Sequence, residues 1–334
     1  MIPVSSATQL ADLSDAVPVG TAPVRKQGRD IHTSDRLFFW ALRFVAWGIL
    51  ALLAGITFNL VRLSIPALQA FGAKYFIQQD WNPVADQFGA ASFIYGTVVS
   101  STLALCLSVP VSLGVSLFLN ELAPRGFATA VGFLVEMLAA IPSVVYGLWG
   151  IFVLAPWLRT TVQPALGKWL GVLPLFQGPP FGIGMLCAGM ILAIMITPTI
   201  SAICREVFRA IPLGQRESAL ALGATRWEMI KIAVLKPARP GILGAVILGL
   251  GRAMGETMAV TMVIGNRPEI ATSLFAPGQT MASVIANEYA EASSEMHLSA
   301  LAAVGLALFV VSFAINSVAR YIVWRFERGE KGRA

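Results

Sequence analysis

Six long apolar runs constrain this chain more than any other feature. They lie near 37–61, 93–119, 127–154, 181–204, 241–265 and 298–324. Crossing about 30 Å of hydrocarbon takes about 20 apolar residues, and each run is long enough. Within them the apolar residues follow one another without the alternation that a membrane β-barrel requires. Only 13% of the residues are charged, against roughly 25% in soluble domains. The pattern predicts an all-α polytopic membrane protein with six transmembrane helices and both termini on one side.

The net charge of +6 does not point to nucleic acid, because the cations sit at the ends of the apolar runs. Seventeen Lys and Arg fall on the side of the termini and five on the other, with Arg43 and Arg252 inside runs. The positive-inside rule therefore predicts cytoplasmic termini. Residues 1–36 read as a cytoplasmic tail, 37–325 as the membrane domain and 326–334 as a second tail. Segments 66–92, 155–180 and 265–297 read as external. The middle one is broken by Pro156, Pro164, Pro174 and Pro179, and suits a loop with short interfacial helices. Glu288, Glu291 and Glu295 would share one face if helical, either as a solvated surface or as a docking surface for an external partner. Cys106, Cys187 and Cys204 have no metal-ligand spacing, and His32 and His297 have no partner spacing.

The longest and most basic cytoplasmic segment, about 205–240, reads as helix, turn, helix. Glu217-Ser218-Ala219 opens a strong helix former, Gly223 is placed as a C-terminal cap, and Thr225-Arg-Trp-Glu228 has the form of a capping box. Lys236-Pro237 predicts the end of the second helix. Periodicity alone also allows an ordinary amphipathic connector. The residue order goes further: Glu217, Ser218, Ala219, Gly223 and Leu235 resemble the coupling loop of ABC-importer permeases, with Ser218 in place of the usual Ala and Lys236 intruding before the proline. No Gly-x4-Gly-Lys-Ser/Thr occurs in the chain, so a nucleotide site would belong to another polypeptide.

Three further segments carry the resemblance. Gly249-Leu-Gly-Arg-Ala-Met-Gly-Glu-Thr-Met-Ala-Val260 with Ile264-Gly-Asn266, Ile141-Pro-Ser-Val-Val-Tyr-Gly-Leu-Trp149, and Ala286-Asn-Glu-Tyr-Ala-Glu291 look like phosphate ABC transporter permeases of the PstC type. The resemblance covers about 37–325. It implies a type I ABC importer permease fold, a homologous permease partner (PstA type), an ATPase dimer (PstB type), an external phosphate-binding protein (PstS type) and phosphate as cargo. It implies no cofactor or metal.

Ionisable residues inside a bilayer are costly and mark function. Glu136 in the third run and Arg252 and Glu256 in the fifth are the candidates for substrate translocation. If helical, Arg252 and Glu256 lie one turn apart on one face, with Gly251 and Gly255 permitting close helix approach. They read either as a structural ion pair or as a cation meeting the anion in transit, which Arg suits by its fixed charge and planar fork of donors. The coupling loop is generic, so another oxyanion such as sulfate or molybdate is an alternative cargo. A membrane-embedded enzyme using Glu136 and Glu256 is a more distant reading, since no nucleophile, metal set or cofactor loop accompanies them.

Overall fold

The computed structural model describes residues 33–331. The reading of 1–36 as a tail thus falls almost wholly outside the described residues, as do the last three residues of the C-terminal tail. Ten helices follow in order: α1 (Thr33–Phe71), α2 (Ala91–Leu122), α3 (Arg125–Ala139), α4 (Ser143–Leu170), α5 (Met185–Arg209), α6 (Leu213–Ala221), α7 (Arg226–Gly255), α8 (Met258–Val263), α9 (Met281–Glu288) and α10 (Glu295–Lys331). Six of them, α1, α2, α4, α5, α7 and α10, are long and apolar enough to cross a membrane.

The described residues divide into two units, 33–55 and 56–331. In the first, helix 33–55 exposes large apolar side chains such as Phe44 and Trp47, and the Arg43 guanidinium lies 4.5 Å from the Phe39 ring centroid. The second unit is built around α5, whose Ile191, Met195, Ile196, Ile200 and Phe208 are buried. Helix α2 lies along it, in the broadest helix pairing of the fold. Ser100, Ala104, Ser108, Ser112 and Ser116 recur every fourth residue on the buried side of α2, and such small side chains let two backbones approach closely. Their hydroxyls are satisfied within α2 or across the seam: Thr197 Oγ1 donates to Ser108 Oγ at 3.0 Å and Ser112 Oγ to the Thr197 carbonyl at 3.1 Å. A second cluster, including Tyr75, Phe88, Phe93, Met281 and Leu301, joins the ends of α1, α2, α9 and α10.

Prolines decide where the helices differ from the apolar runs. The third span is α4, not 127–154: Pro142 adopts an extended conformation and separates α3 from it, because a proline removes a donor and disfavours helix in the residue before it. The stretch 155–180, read as an external loop, instead contributes 155–170 to this span. Lys236-Pro237 likewise does not end the second cytoplasmic helix, which runs unbroken from Arg226 to Gly255 and forms the fifth span.

One device explains these survivals. Before Pro124, Pro156, Pro164 and Pro237 the helix widens into a π turn, and the residue just before each proline donates to a carbonyl five residues back: Ala123 to Phe118, Ala155 to Gly150, Gln163 to Leu158 and Lys236 to Lys231. The wider turn makes room for the ring and reassigns the carbonyls that a proline leaves without a donor. Where the chain continues as helix past the proline, at 156, 164 and 237, the span remains intact.

The external acidic residues do not share a face, since α9 ends at Glu288 and α10 begins at Glu295. Glu288 turns inward, where its Oε2 accepts from Trp81 Nε1 at 2.8 Å and lies 3.0 Å from His297 Nε2, so this histidine has a partner that spacing did not reveal.

Candidate translocation and coupling site

Helix α7 is glycine-rich at 249, 251 and 255, and glycine lowers helix stability. It stops at Gly255; Glu256 is extended (φ −69°, ψ 126°), and α8 starts two residues later. The fifth span is therefore discontinuous within the stretch that carries its charges, and it is shorter at its far end than the 241–265 run. Its two charges part company. Glu256 leaves the helix face of Arg252, and its Oε1 accepts from the Ala259 amide at 3.3 Å at the start of α8. Arg252 Nη1 donates to Thr199 Oγ1 of α5 at 3.2 Å. No ion pair joins Arg252 to an acidic side chain among the described residues. Gly249 packs against Ile200 of α5, whereas Gly251 and Gly255 meet no other group among the described residues, so their close-approach face is unused there.

Glu136 belongs to α3, which is not one of the six helices long and apolar enough to cross a membrane, and the fold brings it to neither Arg252 nor Glu256. Its Oε1 pairs with Arg205 Nη2 at 3.1 Å, the Arg205 side chain being 7% exposed and Glu136 52%. The remaining Nη1 of Arg205 has no hydrogen-bond partner among the described residues. Gly132 makes room for this guanidinium, since a Cβ there would collide with it. Arg205 counts as a loop cation in the sequence because it ends an apolar run; only the packing of α3 on α5 gives it a buried partner.

The cytoplasmic hairpin has the local form its residues predict. Gly223 takes φ +87°, which favours glycine, and closes α6. Thr225 Oγ1 accepts from the Glu228 amide while Glu228 Oε2 accepts from the Thr225 amide at 2.8 Å, a complete capping box. Glu217 and Ser218 are exposed, and the Ser218 hydroxyl folds back onto the Gly214 carbonyl at 2.7 Å. Ala219 instead turns inward onto the core. The outer face presents Leu213, Leu220 and, at the turn, Leu222, the last 90% exposed: an apolar knob bordered by Glu217.

A family model described as "Binding-protein-dependent transport system inner membrane component" matches residues 112–328, which span α3 to α10 and nearly all of the site above. The chain belongs to this family. As an inner membrane component it is a multi-pass transport subunit rather than an enzyme, and it works with a separate ATPase and a binding protein. Among its relatives, a phosphate transport system permease protein PstC of Mesorhizobium japonicum is 44% identical over 95% of this chain and 98% of its own length. One of Pasteurella multocida is 45% identical, covering 90% and 94%. The fold resembles that of a chain in a bacterial alginate ABC transporter, with a TM-score of 0.59, 18% identity and coverage of 89% and 96%. A chain in another structure of a bacterial alginate-importing ABC transporter gives 0.56, 18%, 87% and 99%. These likenesses fit the type I permease architecture.

Proposed function

We propose that this inner membrane component conducts inorganic phosphate, delivered by an external binding protein of the PstS type, through an interface with a homologous permease of the PstA type above a PstB-type ATPase dimer. The names of the relatives support the cargo, and the placement of Arg252 carries the mechanism. An isolated charge inside the hydrocarbon costs up to about 2.5–3.5 kcal/mol, the insertion-scale figure for a helix centre. One hydrogen bond to a charged group returns about 1.5–3 kcal/mol, so the Thr199 bond offsets part of that cost. The balance is available to a passing anion, whose oxygens match the guanidinium fork. Glu256, on the extended link after the broken helix, borders the same passage and bears a charge that favours the anion's onward movement. Glu136, neutralised by Arg205, lines its cytoplasmic side without repelling the cargo.

Glu217, Ser218, Ala219 and Gly223 form the ATPase-coupling element: Glu217 and the apolar knob touch the ATPase, Ala219 seats the helix on the membrane domain and Gly223 closes its turn. Both termini are cytoplasmic. The test is uptake of labelled phosphate into vesicles containing the assembled transporter, with sulfate and molybdate as competitors. Saturable, ATP-dependent uptake that neither competitor suppresses is expected; preferential uptake of sulfate or molybdate overturns the cargo assignment.

A further inference from the structure

Helix α6 has no buried residue, so apolar burial does little to hold it in place. Beside the packing of Ala219, what holds it is a buried guanidinium. Arg216 lies one turn before Ala219 on the inward side. Its Nη2 is 3.0 Å from Glu121 Oε1 at the end of α2, with side chains only 13% and 7% exposed. The same nitrogen donates to the Phe208 carbonyl of α5 at 2.7 Å, and Nη1 to the Ile211 carbonyl at 3.2 Å. Asn120 Nδ2 donates to Glu121 Oε1 at 2.7 Å and fixes the carboxylate. A lysine offers no such fork: the planar guanidinium reaches a carboxylate and two carbonyls at once.

We propose that Arg216 and Glu121 are the positioning residues that couple α6 to the transport path, so that α6, α2 and α5 move as one body. This rests on the reading of α6 as the ATPase contact. The path of transmission is short. Phe208 follows Thr199 by nine residues on α5, about 14 Å along the axis at 1.5 Å per residue, and Thr199 is the acceptor that holds Arg252. Glu121 fastens the same guanidinium to α2, which is bound to α5 by the Thr197, Ser108 and Ser112 hydrogen bonds. A displacement of α6 therefore reaches the side chain that orients the membrane cation. Without the brace, α6 is tethered by its flanking turns and by Ala219, and can yield to the ATPase without moving α5.

The test uses the complete transporter in vesicles, comparing phosphate imported per ATP hydrolysed in Arg216→Met, Glu121→Gln and Arg216→Lys. The first two are expected to retain the ATPase and its hydrolysis while the ratio falls about tenfold, because each removes one member of a buried pair. Arg216→Lys keeps the charge without the fork and is expected to fall between them and the unaltered chain. An unchanged ratio in both neutral variants overturns the brace, as does loss of the ATPase from both, which assigns the pair to assembly. A cross-linker at Leu220→Cys separates the two ideas. If it fails to capture the ATPase, the contact reading falls and the brace with it; if it captures the ATPase while the ratio stays unchanged, only the brace falls.

Discussion

At the residue scale, Arg252 and Glu256 were both legible as charges inside an apolar run, but their relationship was not. Spacing of four predicts one helix face only if the helix continues, and Gly255 followed by the extended Glu256 ends it. Thr199, the acceptor for Arg252, carries no signal in a single sequence because it is one hydroxyl among many on an apolar helix. Since the two charges share no bond, the effects of neutralising them should add rather than cancel. Arg252→Gln is expected to lower phosphate uptake per assembled complex about tenfold, the rate equivalent of the roughly 1–2 kcal/mol that the Thr199 bond leaves uncompensated. Adding Glu256→Gln should restore nothing. A double variant with normal uptake would show that Arg252 serves only to neutralise Glu256. Thr199→Val, which removes the positioning bond but leaves the cation, should cost about tenfold.

At the element scale, the cytoplasmic hairpin was legible because its signals are local: a capping pair three residues apart and one glycine whose backbone must turn left-handed. Arg216 and Glu121 were not, since the bond joins positions 95 apart in sequence. Gly223→Ala would force a side chain into φ +87° and is expected to cost about 1 kcal/mol of hairpin stability. Thr225→Ala should cost about the same through loss of the cap. Faster amide hydrogen exchange across 223–230 would report both, and unchanged exchange would show that the turn is held by the ATPase rather than by itself. Leu220→Asp places a charge on the apolar knob and should sharply reduce ATPase co-purification while the spans still insert.

At the scale of the whole molecule, the number of spans followed from hydropathy, but two of the six were displaced along the chain, by Pro142, which breaks a helix, and by Pro156, Pro164 and Pro237, which do not. Orientation is open to a direct check. In a background lacking the three native cysteines, Val84→Cys, at a position 96% exposed, should react with an impermeant thiol reagent in intact cells. Leu222→Cys should react only after permeabilisation, and the reverse result would invert the topology. The widened turns also set the phase of each span. Each accommodates about one residue beyond a regular turn, and one residue advances a helix by about 100°. Helix α4, with two such turns, presents after Val162 a side that simple periodicity would assign elsewhere; there Gln163 is buried and accepts from the Gly182 amide at 2.9 Å. In α7 the single widened turn, Ile230–Leu235, lies between the capped segment and Arg252, like a screw thread between handle and tip. Deleting one residue there should leave α6 seated on the ATPase and the 225–228 cap intact, yet swing Arg252 about a quarter turn away from Thr199, giving a complex that assembles and hydrolyses ATP without moving phosphate.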